Sequence, residues 1–347
     1  MKIENFTLDK FSPILIIAEL SANHNGSLET AIETIRAAKR AGADCIKFQT
    51  YTADTLTINC EEDDFIIKSG SIWDGRKFYS LYQEAYTPWE WHYELFRVAR
   101  EEGLICFSSP FDKTAVDFLE KFDVPAYKIA SFEITDIPLI EYVASKGKPV
   151  IISTGIANMD DIELALDACR RMGNNQIALL KCTSSYPAPI DESNIIMIKD
   201  FVERFGVVAG LSDHTSGITV PVVAASFGAK IIEKHFILDR KIGGPDASFS
   251  IDEQEFTELV KAVREAEKAI GEVSYKLTDK QLKGRDFCRS LYCVEHLKAG
   301  EIITEKNVRS IRPGFGLHPK YYYSILGKKV IKDVNKGDRF SFDFIEN

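Results

Sequence analysis

One unit repeats between Ile14 and Ile270: a short apolar strand, a polar loop and an amphipathic helix. Eight such strands can be placed, and successive residues in them are apolar instead of alternating with polar ones. Strands of this kind are buried on both faces, as in parallel sheets covered by helices, and eight of them close into a (β/α)8 barrel of about 250 residues. No G-x-G-x-x-G motif follows the first strand, which disfavours an open dinucleotide-binding sheet. The sequence therefore predicts a TIM barrel.

The spacing of apolar residues also predicts where each helix and strand begins and ends. Helices are predicted from Leu28 to a stop at Gly42 and over residues 89–100, 114–121, 159–172 and 253–270. Strands are predicted over residues 14–19, 45–49, 104–109, 126–130, 149–155, 177–183, 207–212 and 230–235.

A long insertion, residues 50–87, separates the second strand from its helix. Two interpretations of it stay open. It is a solvent-facing lid anchored by aromatic side chains such as Trp73, Tyr79 and Tyr82, or it is a cap whose apolar walls cover a bound ligand.

The pattern changes after Gly271, where the chain becomes polar and resembles a linker. The predicted domains are a barrel over residues 1–271, a linker over 272–289 and a small domain over 290–347. The small domain is rich in turns, has β-like runs at 291–294, 308–311 and 329–331, and is too small to be a robust enzyme alone.

Composition narrows the class of protein. Apolar residues make up 45% and charged residues 27% of the chain, as in soluble globular proteins. A net charge of −9 without a basic patch argues against a general nucleic-acid or membrane-surface binder. There is no signal-peptide core and no apolar run of membrane-spanning length, so we expect a cytoplasmic protein.

The seven cysteines include no C-x-x-C pair, and their number is odd, so no disulfide framework or zinc knuckle is predicted. Four of them lie in apolar contexts and are expected to be buried thiols: Cys45, Cys106, Cys169 and Cys182.

Two histidines end neighbouring apolar strands between Gly206 and Ser250: His214 follows the run 207–211, and His235 closes the next strand. The carboxyl ends of barrel strands share one rim, so both imidazoles are expected there. Neutral imidazole is the commonest protein ligand of divalent metals, which makes the pair a candidate metal site. For each histidine alone, a surface or hydrogen-bonded role is the alternative.

Polar residues also follow the other predicted strands. Lys47 and Lys128 lie in otherwise apolar strands, and buried lysines are rare unless they are paired. Two cations with several hydroxyls suit a multiply charged oxyanion such as phosphate or carboxylate. Helix capping is the simpler interpretation for any single hydroxyl, but the set as a whole favours a site. The set is Glu19, Asn23, Lys47, Gln49, Ser108, Ser109, Lys128, Ser131, Glu133, Ser153, Thr154, Lys181, Thr183, Ser184, Tyr186, Ser212, Asp213, His214, His235 and Asp246.

These strand-end motifs resemble the sialic acid synthase family. The matching stretches occur in family order and include I-I-A-E-L-S-A-N-H-N-G-S, I-K-F-Q-T, F-S-S-P-F-D, Y-K-I-A-S-F-E, I-S-T-G, K-C-T-S-S-Y-P-A-P, G-L-S-D-H-T, E-K-H-F and G-G-P-D. The tail S-I-R-P-G-F-G-L resembles the antifreeze-like (SAF) domain that ends these enzymes. The resemblance implies condensation of phosphoenolpyruvate with an N-acetylated sugar to a nine-carbon 2-keto acid and phosphate.

Within this family, the insertion and the stretch T-P-W-E-W-H are most similar to the branch that forms pseudaminic acid. The neuraminate branch usually has Asn where this chain has Ser184 and His where it has Lys181, which puts N-acetylmannosamine in doubt as the acceptor. The branch implies 2,4-diacetamido-2,4,6-trideoxy-L-altrose as acceptor and a product used in surface-glycan and flagellin glycosylation. Synthesis of neuraminate or legionaminate is the alternative within the family.

The resemblance also implies a role for each matching residue. His214 and His235 would hold a divalent ion, Mn²⁺ or alternatively Mg²⁺ or Co²⁺, that polarises the sugar aldehyde, and Glu19 would be the acid or base. Phe287 and Arg312 would act at a partner's barrel in a domain-swapped homodimer. The implied phosphoenolpyruvate site comprises Lys47, Ser109, Lys128, Ser131, Ser153, Ser184 and Ser212, and the implied sugar site comprises Gln49, Glu133, Tyr186 and Asp246.

Two other classes of protein fit parts of the pattern. A barrel aldolase or sugar isomerase would use the histidine pair without phosphoenolpyruvate. A non-catalytic carbohydrate-binding or scaffold protein would use only the antifreeze-like tail, and it would leave the polar strand ends without a purpose.

Overall fold

The computed structural model describes residues 1–346. The chain divides into two compact units, Met1–Gly271, here called the barrel unit, and Glu272–Asn347, here called the C-terminal unit. The barrel unit begins with a two-stranded hairpin, β1 (Lys2–Ile3) and β2 (Phe6–Thr7), which places Ile3 in the main hydrophobic core.

Eight parallel strands then form a closed barrel, which confirms the predicted TIM barrel. Each strand pairs with its neighbours in chain order, and the last pairs with the first. The strands are β3 (Leu15–Glu19), β4 (Cys45–Thr50), β5 (Ile105–Pro110), β6 (Tyr127–Ile129), β7 (Val150–Ser153), β8 (Ile177–Cys182), β9 (Val208–Asp213) and β10 (Ile231–His235).

Helices cover the outer face of the barrel and bury the apolar residues that point away from its axis. The last of them begins with a capping box, in which Asp252 and Glu255 each accept a backbone N–H of the other, and it ends at Gly271. The helices are α1 (Leu28–Arg40), α2 (Ala53–Leu56), α3 (Phe78–Ala85), α4 (His92–Glu101), α5 (Lys113–Glu120), α6 (Ile137–Ala144), α7 (Met159–Arg171), α8 (Met197–Phe205), α9 (Thr219–Ser226) and α10 (Glu253–Ile270).

One barrel helix begins more than two residues away from its predicted start. The helix predicted from residue 89 begins at His92, because Trp89–Trp91 forms a 3₁₀ turn after Pro88. The insertion contains α2, α3 and a 3₁₀ turn at Asp63–Phe65, so it has secondary structure of its own. The thiols of Cys45, Cys106, Cys169 and Cys182 are buried, as predicted.

The C-terminal unit has its own core, formed around residues such as Leu291, Val308 and Phe340. Its two strands, β11 (Ser290–Cys293) and β12 (Val308–Ile311), are antiparallel. The third predicted run, 329–331, is not a strand and contributes only isolated bridges. Helix α11 (Asp279–Gly284) lies in the segment predicted to be a linker, and α12 (Tyr322–Ile325) lies between turns.

The register of the barrel brings the predicted site together. Glu19 at the end of β3 lies opposite Lys47 on one side and His235 on the other. His214 directly follows β9, which is the other neighbour of β10. Four neighbouring strands therefore bring together the histidine pair, the predicted acid or base and a lysine. Within residues 1–346 no helix combines the length and apolar character needed to span a membrane.

Candidate active site at the carboxyl rim of the barrel

Four charged side chains meet inside the mouth of the barrel, and we call Glu19, Lys47, Lys128 and Glu233 the charged quartet. All four are buried. The ammonium of Lys47 lies 2.6 Å from Oε2 of Glu19 and 3.7 Å from Oε1 of Glu233. The ammonium of Lys128 lies 3.3 Å from the same Oε1 of Glu233. Each charge therefore has an opposite charge beside it, as burial requires.

Burial and charge pairing have opposite effects on the pKa values of the quartet. Burial raises the pKa of Glu19, and the ammonium of Lys47 opposes the rise. Burial also favours neutral Glu233, but Lys128 and Lys47 together lower its pKa. Burial favours neutral Lys47, whereas Glu19 and Glu233 raise its pKa. Burial lowers the pKa of Lys128. Glu19 is therefore the carboxyl of the quartet that is shifted towards protonation.

Serine hydroxyls surround the charged quartet. Ser109 accepts a hydrogen bond from Lys47 at 3.2 Å, and Ser212 donates one to Glu233 at 3.0 Å. The hydroxyl of Ser153 is buried and has no hydrogen-bond partner among residues 1–346. Buried polar groups in native proteins are nearly always paired, so the unpaired hydroxyl of Ser153 at the end of β7 indicates a group that a ligand completes.

A second group of hydroxyls, Ser131 and Ser184, follows β6 and β8. Ser131 accepts a hydrogen bond from the backbone N–H of Gly155 at 3.1 Å. A Cβ at Gly155 would lie 2.7 Å from Oγ of Ser131 and 2.0 Å from Oγ of Ser184, so glycine at this position leaves room for both hydroxyls. The hydroxyl of Ser184 also lies 3.8 Å from the thiol of Cys182, which faces the same space.

The two histidines at the strand ends lie side by side, with ring centroids 5.2 Å apart. Nδ1 of His214 lies 3.1 Å from the backbone carbonyl oxygen of Thr183. A carbonyl oxygen can only accept, so Nδ1 carries the proton of the neutral ring and Nε2 keeps its lone pair. Nδ1 of His235 is buried without a hydrogen-bond partner in the described part of the chain, and Asp246 lies 3.7 Å from it. Burial and neighbouring cations lower the pKa of His235 well below its ordinary value, which keeps the ring neutral.

These features fit a divalent metal ion. Two imidazoles, one with Nδ1 directed at a backbone carbonyl and one kept neutral by burial, are the donor type that such ions prefer. No group of three or more His, Cys, Asp or Glu side chains in residues 1–346 is arranged to hold a metal. An ion held by His214 and His235 alone keeps open coordination positions, which a catalytic site needs.

A chain of hydrogen bonds connects the charged quartet to the histidine pair. Gln49 donates to Glu19 at 3.1 Å and to the hydroxyl of Ser21 at 2.9 Å. Ser21 in turn donates to Asp246 at 2.5 Å, and Asp246 lies beside His235. The two halves of the site therefore have their positions fixed relative to each other.

Aromatic side chains cover the histidine pair, and we call Trp73, Tyr186 and Phe249 the aromatic cover. Tyr186 lies 4.5 Å from His214, and Phe249 lies 5.0 Å from His235, measured between ring centroids. Trp73 packs on the far side of Tyr186 at 5.4 Å and contacts Phe249 at 6.3 Å. The insertion therefore reaches the site through Trp73, which favours a cap over a purely solvent-facing lid.

Comparisons with known proteins agree with this geometry. A family model described as the NeuB family matches residues 34–275, and a SAF domain model matches residues 289–346. A pseudaminic acid synthase of Campylobacter jejuni is 51% identical over 97% of this chain and 98% of its own length. A pseudaminic acid synthase of Helicobacter pylori is 47% identical over 96% of this chain and 98% of its own length.

The chain belongs to the NeuB family.

Among solved structures, an N-acetylneuraminic acid synthetase of Leptospira borgpetersenii in complex with citrate superposes with a TM-score of 0.73 at 29% identity, covering 82% of this chain and 94% of that one. The predicted family and the predicted combination of a TIM barrel with a SAF domain are thereby confirmed.

Some polar residues at the rim of this NeuB chain form ion pairs or hydrogen bonds within the fold. Asp213 pairs with the buried ammonium of Lys234 at 2.5 Å. Thr154 donates to the carbonyl of Leu180, and Lys181 donates to the carbonyl of Cys182 at 2.7 Å. These contacts hold the strand ends together, so a polar strand end by itself does not identify a site residue.

Two predicted site residues lie in the C-terminal unit. Phe287 is 72% exposed and ends the 3₁₀ turn Arg285–Phe287, and Arg312 is exposed directly after β12. Their role at a partner's barrel stays a prediction.

Sequence reasoning missed two members of the site. Glu233 lies in the middle of β10 and is absent from the predicted set of strand-end residues, although a glutamate following Ile231 and Ile232 in a buried strand is the same signal that identifies the two lysines. Phe249 lies in a loop between β10 and α10 and has no sequence signal beyond its apolar character.

Glu133 generates a pH-dependent prediction. Its Oε2 is buried without a hydrogen-bond partner within residues 1–346, and burial raises its pKa from 4.5 to about 7. The native state therefore binds a proton that the unfolded state releases between these two pH values. As pH rises through this window, the wild type should lose about 3 kcal/mol of unfolding free energy relative to Glu133→Gln, with no further change above about pH 7.

Urea denaturation of both proteins at several pH values between 4.5 and 8 measures this difference. Glu203→Gln on the exposed face of α8 is the matched control, and its curve should run parallel to that of the wild type. Parallel curves for Glu133→Gln as well would show that the Glu133 carboxyl is ionised in the native protein throughout this range.

Proposed function

We propose that this chain is a pseudaminic acid synthase. It condenses phosphoenolpyruvate with 2,4-diacetamido-2,4,6-trideoxy-L-altrose to give a nine-carbon 2-keto sugar acid and phosphate. The observation that carries the proposal is the buried, paired charged quartet directly beside two imidazoles at one rim of the barrel. The identity of 47–51% to curated pseudaminic acid synthases over nearly the whole chain supports this choice of acceptor.

The charged quartet and its serines suit phosphoenolpyruvate. Lys47 and Lys128 supply two ammonium groups within one buried space, and phosphate and carboxylate oxygens accept charge-assisted hydrogen bonds from such groups. The proposed site includes Ser109, Ser131, Ser153, Ser184 and Ser212. Their hydroxyls can donate to the remaining oxygens of the ligand.

The acceptor sugar would lie beside the histidine pair and against the aromatic cover. Tyr186 offers an apolar face, whereas Gln49, Glu133 and Asp246 offer polar groups. The 6-deoxy position and the acetamido methyl groups of the proposed acceptor are apolar, and rings such as that of Tyr186 bind such groups by removing them from water. A divalent ion, which we propose to be Mn²⁺, would be held by His214 and His235 and, when bound, supplies Lewis-acid polarisation of the sugar aldehyde.

The side chains of the barrel account for the remaining steps. C3 of phosphoenolpyruvate forms a bond to the aldehyde carbon of the open-chain sugar, and C2 becomes electron-deficient. Water adds to C2, and the C2–O bond to phosphate then breaks. Lys47 and Lys128 bind the phosphate as it leaves and stabilise its negative charge. Glu19 lies against Lys47 and Gln49, where it can take a proton from the water or give one to the new alkoxide oxygen.

The reaction itself is tested by phosphate release. Purified protein should release phosphate only when phosphoenolpyruvate, the diacetamido altrose and a divalent metal are all present, and chelation should abolish the activity until Mn²⁺ is restored. N-acetylmannosamine and the acceptor of legionaminate synthases serve as parallel acceptors, and the product is identified by mass spectrometry and NMR. Faster turnover of either parallel acceptor, or turnover without phosphoenolpyruvate, would overturn the proposal.

Glu19→Gln tests the proton-transfer role. The amide keeps the size of the side chain but cannot transfer a proton, so kcat should fall by at least ~100-fold with the KM for phosphoenolpyruvate changed much less. Glu233→Gln is the matched comparison, because it also removes a carboxylate that lies beside Lys47. If both variants change mainly the KM for phosphoenolpyruvate, Glu19 serves only to balance the charge of Lys47.

We further propose a domain-swapped homodimer in which the C-terminal unit of each chain completes the partner's site. Large apolar side chains are exposed on the loops after β6, β7 and β8, namely Phe132, Ile156 and Ile190, at 49–59% exposure. Exposed apolar surface at a site rim favours a covering partner. Charge supports the same pairing, because residues 272–347 carry 15 Lys and Arg against 10 Asp and Glu, whereas residues 1–271 carry 28 against 42.

Complementation between two inactive variants tests the swap. Arg312→Ala supplies an intact barrel, and Glu19→Gln supplies an intact C-terminal unit. Co-expressed and purified as a mixture, they should recover about a quarter of wild-type activity, because half of the dimers are mixed and each of these has one complete site. Arg309→Ala, a nearby exposed arginine, should be active alone. Failure of the mixture to exceed the separate variants would mean that Arg312 does not act across the dimer.

The proposed reaction draws on phosphoenolpyruvate, a metabolite of the cytoplasm. We propose that the protein works there and supplies pseudaminic acid for glycosylation of surface glycans and flagellin.

A further inference from the structure

The indole N–H of Trp73 is a buried donor without a use in the fold. Its Nε1 is buried and has no acceptor within residues 1–346. The comparable donor of Trp89, a second tryptophan near the same rim, is satisfied by the backbone carbonyl of Tyr51 at 3.1 Å. Buried donors that lack a partner are rare in native proteins, and each calls for a specific explanation.

The turn that carries Trp73 is firmly built. The carboxylate of Asp74 accepts backbone N–H groups from Ser69, Gly70 and Ser71 at 2.9–3.1 Å. The backbone of Ile67 and that of Arg76 also pair across the turn at 2.8 Å. The backbone at Trp73 is therefore held in place by the turn, which fixes the position from which the indole reaches the site.

The ring of Trp73 belongs to the wall of the site. It packs 5.4 Å from Tyr186, which itself lies 4.5 Å from His214. It lies 6.3 Å from Phe249, which lies 5.0 Å from His235. Trp73 is thus one ring layer further from the histidine pair than the two other members of the aromatic cover. A sugar whose aldehyde lies at the histidines would present a substituent several atoms away from that aldehyde to the indole.

The chemistry of the indole selects the kind of substituent. An indole N–H only donates, and the ring beside it is apolar and flat. An acetamido group has a carbonyl oxygen that only accepts and a methyl group that packs against aromatic rings. A hydroxyl has no such methyl group, and a cationic amine cannot accept a hydrogen bond.

We propose that the indole N–H of Trp73 donates a hydrogen bond to the carbonyl oxygen of the 4-acetamido group of the acceptor, and that the aromatic cover packs against its methyl group. The inference rests on the proposed function and deepens it, since it assigns recognition of one acetamido group to the insertion. It makes the insertion a specificity element that distinguishes a 4-acetamido sugar from a 4-hydroxy sugar.

Trp73→Phe tests the contact, because it keeps an aromatic ring and removes only the donor with part of the ring. Steady-state kinetics are measured with the diacetamido acceptor and with 2-acetamido-2,6-dideoxy-L-altrose, which has a hydroxyl at C4. For the diacetamido acceptor, kcat/KM should fall about tenfold or more, since the bound carbonyl loses its partner. For the 4-hydroxy sugar, wild type and variant should agree within about twofold, and the KM for phosphoenolpyruvate should be unchanged.

Trp89→Phe is the matched control, because it removes an indole N–H that is already satisfied inside the protein. It should not change the ratio of kcat/KM between the two sugars. An equal loss on both sugars for Trp73→Phe, or no loss on either, would overturn the inference. If the wild type does not use the diacetamido acceptor at all, the proposed function falls together with the contact. If the wild type uses the diacetamido acceptor and Trp73→Phe does so with unchanged kcat/KM, only the proposed contact is ruled out.

Discussion

The burial of four charges in one barrel mouth is the constraint on which the rest of the site depends. Removing a charged side chain from water costs several kcal/mol per ion unless opposite charges and hydrogen bonds compensate it. The register of the barrel supplies that compensation, because it sets Glu19 beside Lys47 and leaves Glu233 within reach of both lysines. The free energy that stabilises the barrel comes from its buried apolar residues. The quartet itself therefore contributes little to the stability of the fold.

The barrel could be predicted from sequence because its signal is repeated. Each strand is a continuous apolar run, and helices such as α10 have a cap at the start and a glycine at the end, so local patterns and the closed sheet agree. The C-terminal unit was less predictable. Its run at 329–331 pairs only through isolated bridges, and α11 lies in a polar segment where capping by Thr278, rather than an apolar stripe, starts the helix.

The site was predictable where chemistry coincides with the ends of strands, as for His214 and His235. It was not predictable where function comes from contacts between distant segments. Trp73 reaches Tyr186 from an insertion more than a hundred residues away in the chain, and no local pattern encodes that approach. Glu233 could have been found, because an acidic residue in a buried parallel strand requires a partner, and Lys128 is that partner.

The charge balance of the quartet bears on the proposed reaction. Two lysines and two glutamates are formally neutral together, so phosphoenolpyruvate would bring uncompensated negative charge into a buried space. Glu233 lies beside both ammonium groups and keeps its charge, whereas burial already raises the pKa of Glu19. An additional anion nearby raises that pKa further, because like charges favour the neutral form of a carboxyl group. On the proposed function, the substrate itself would therefore favour protonated Glu19, which could first donate its proton to the new alkoxide oxygen and would then be ionised for the later attack of water.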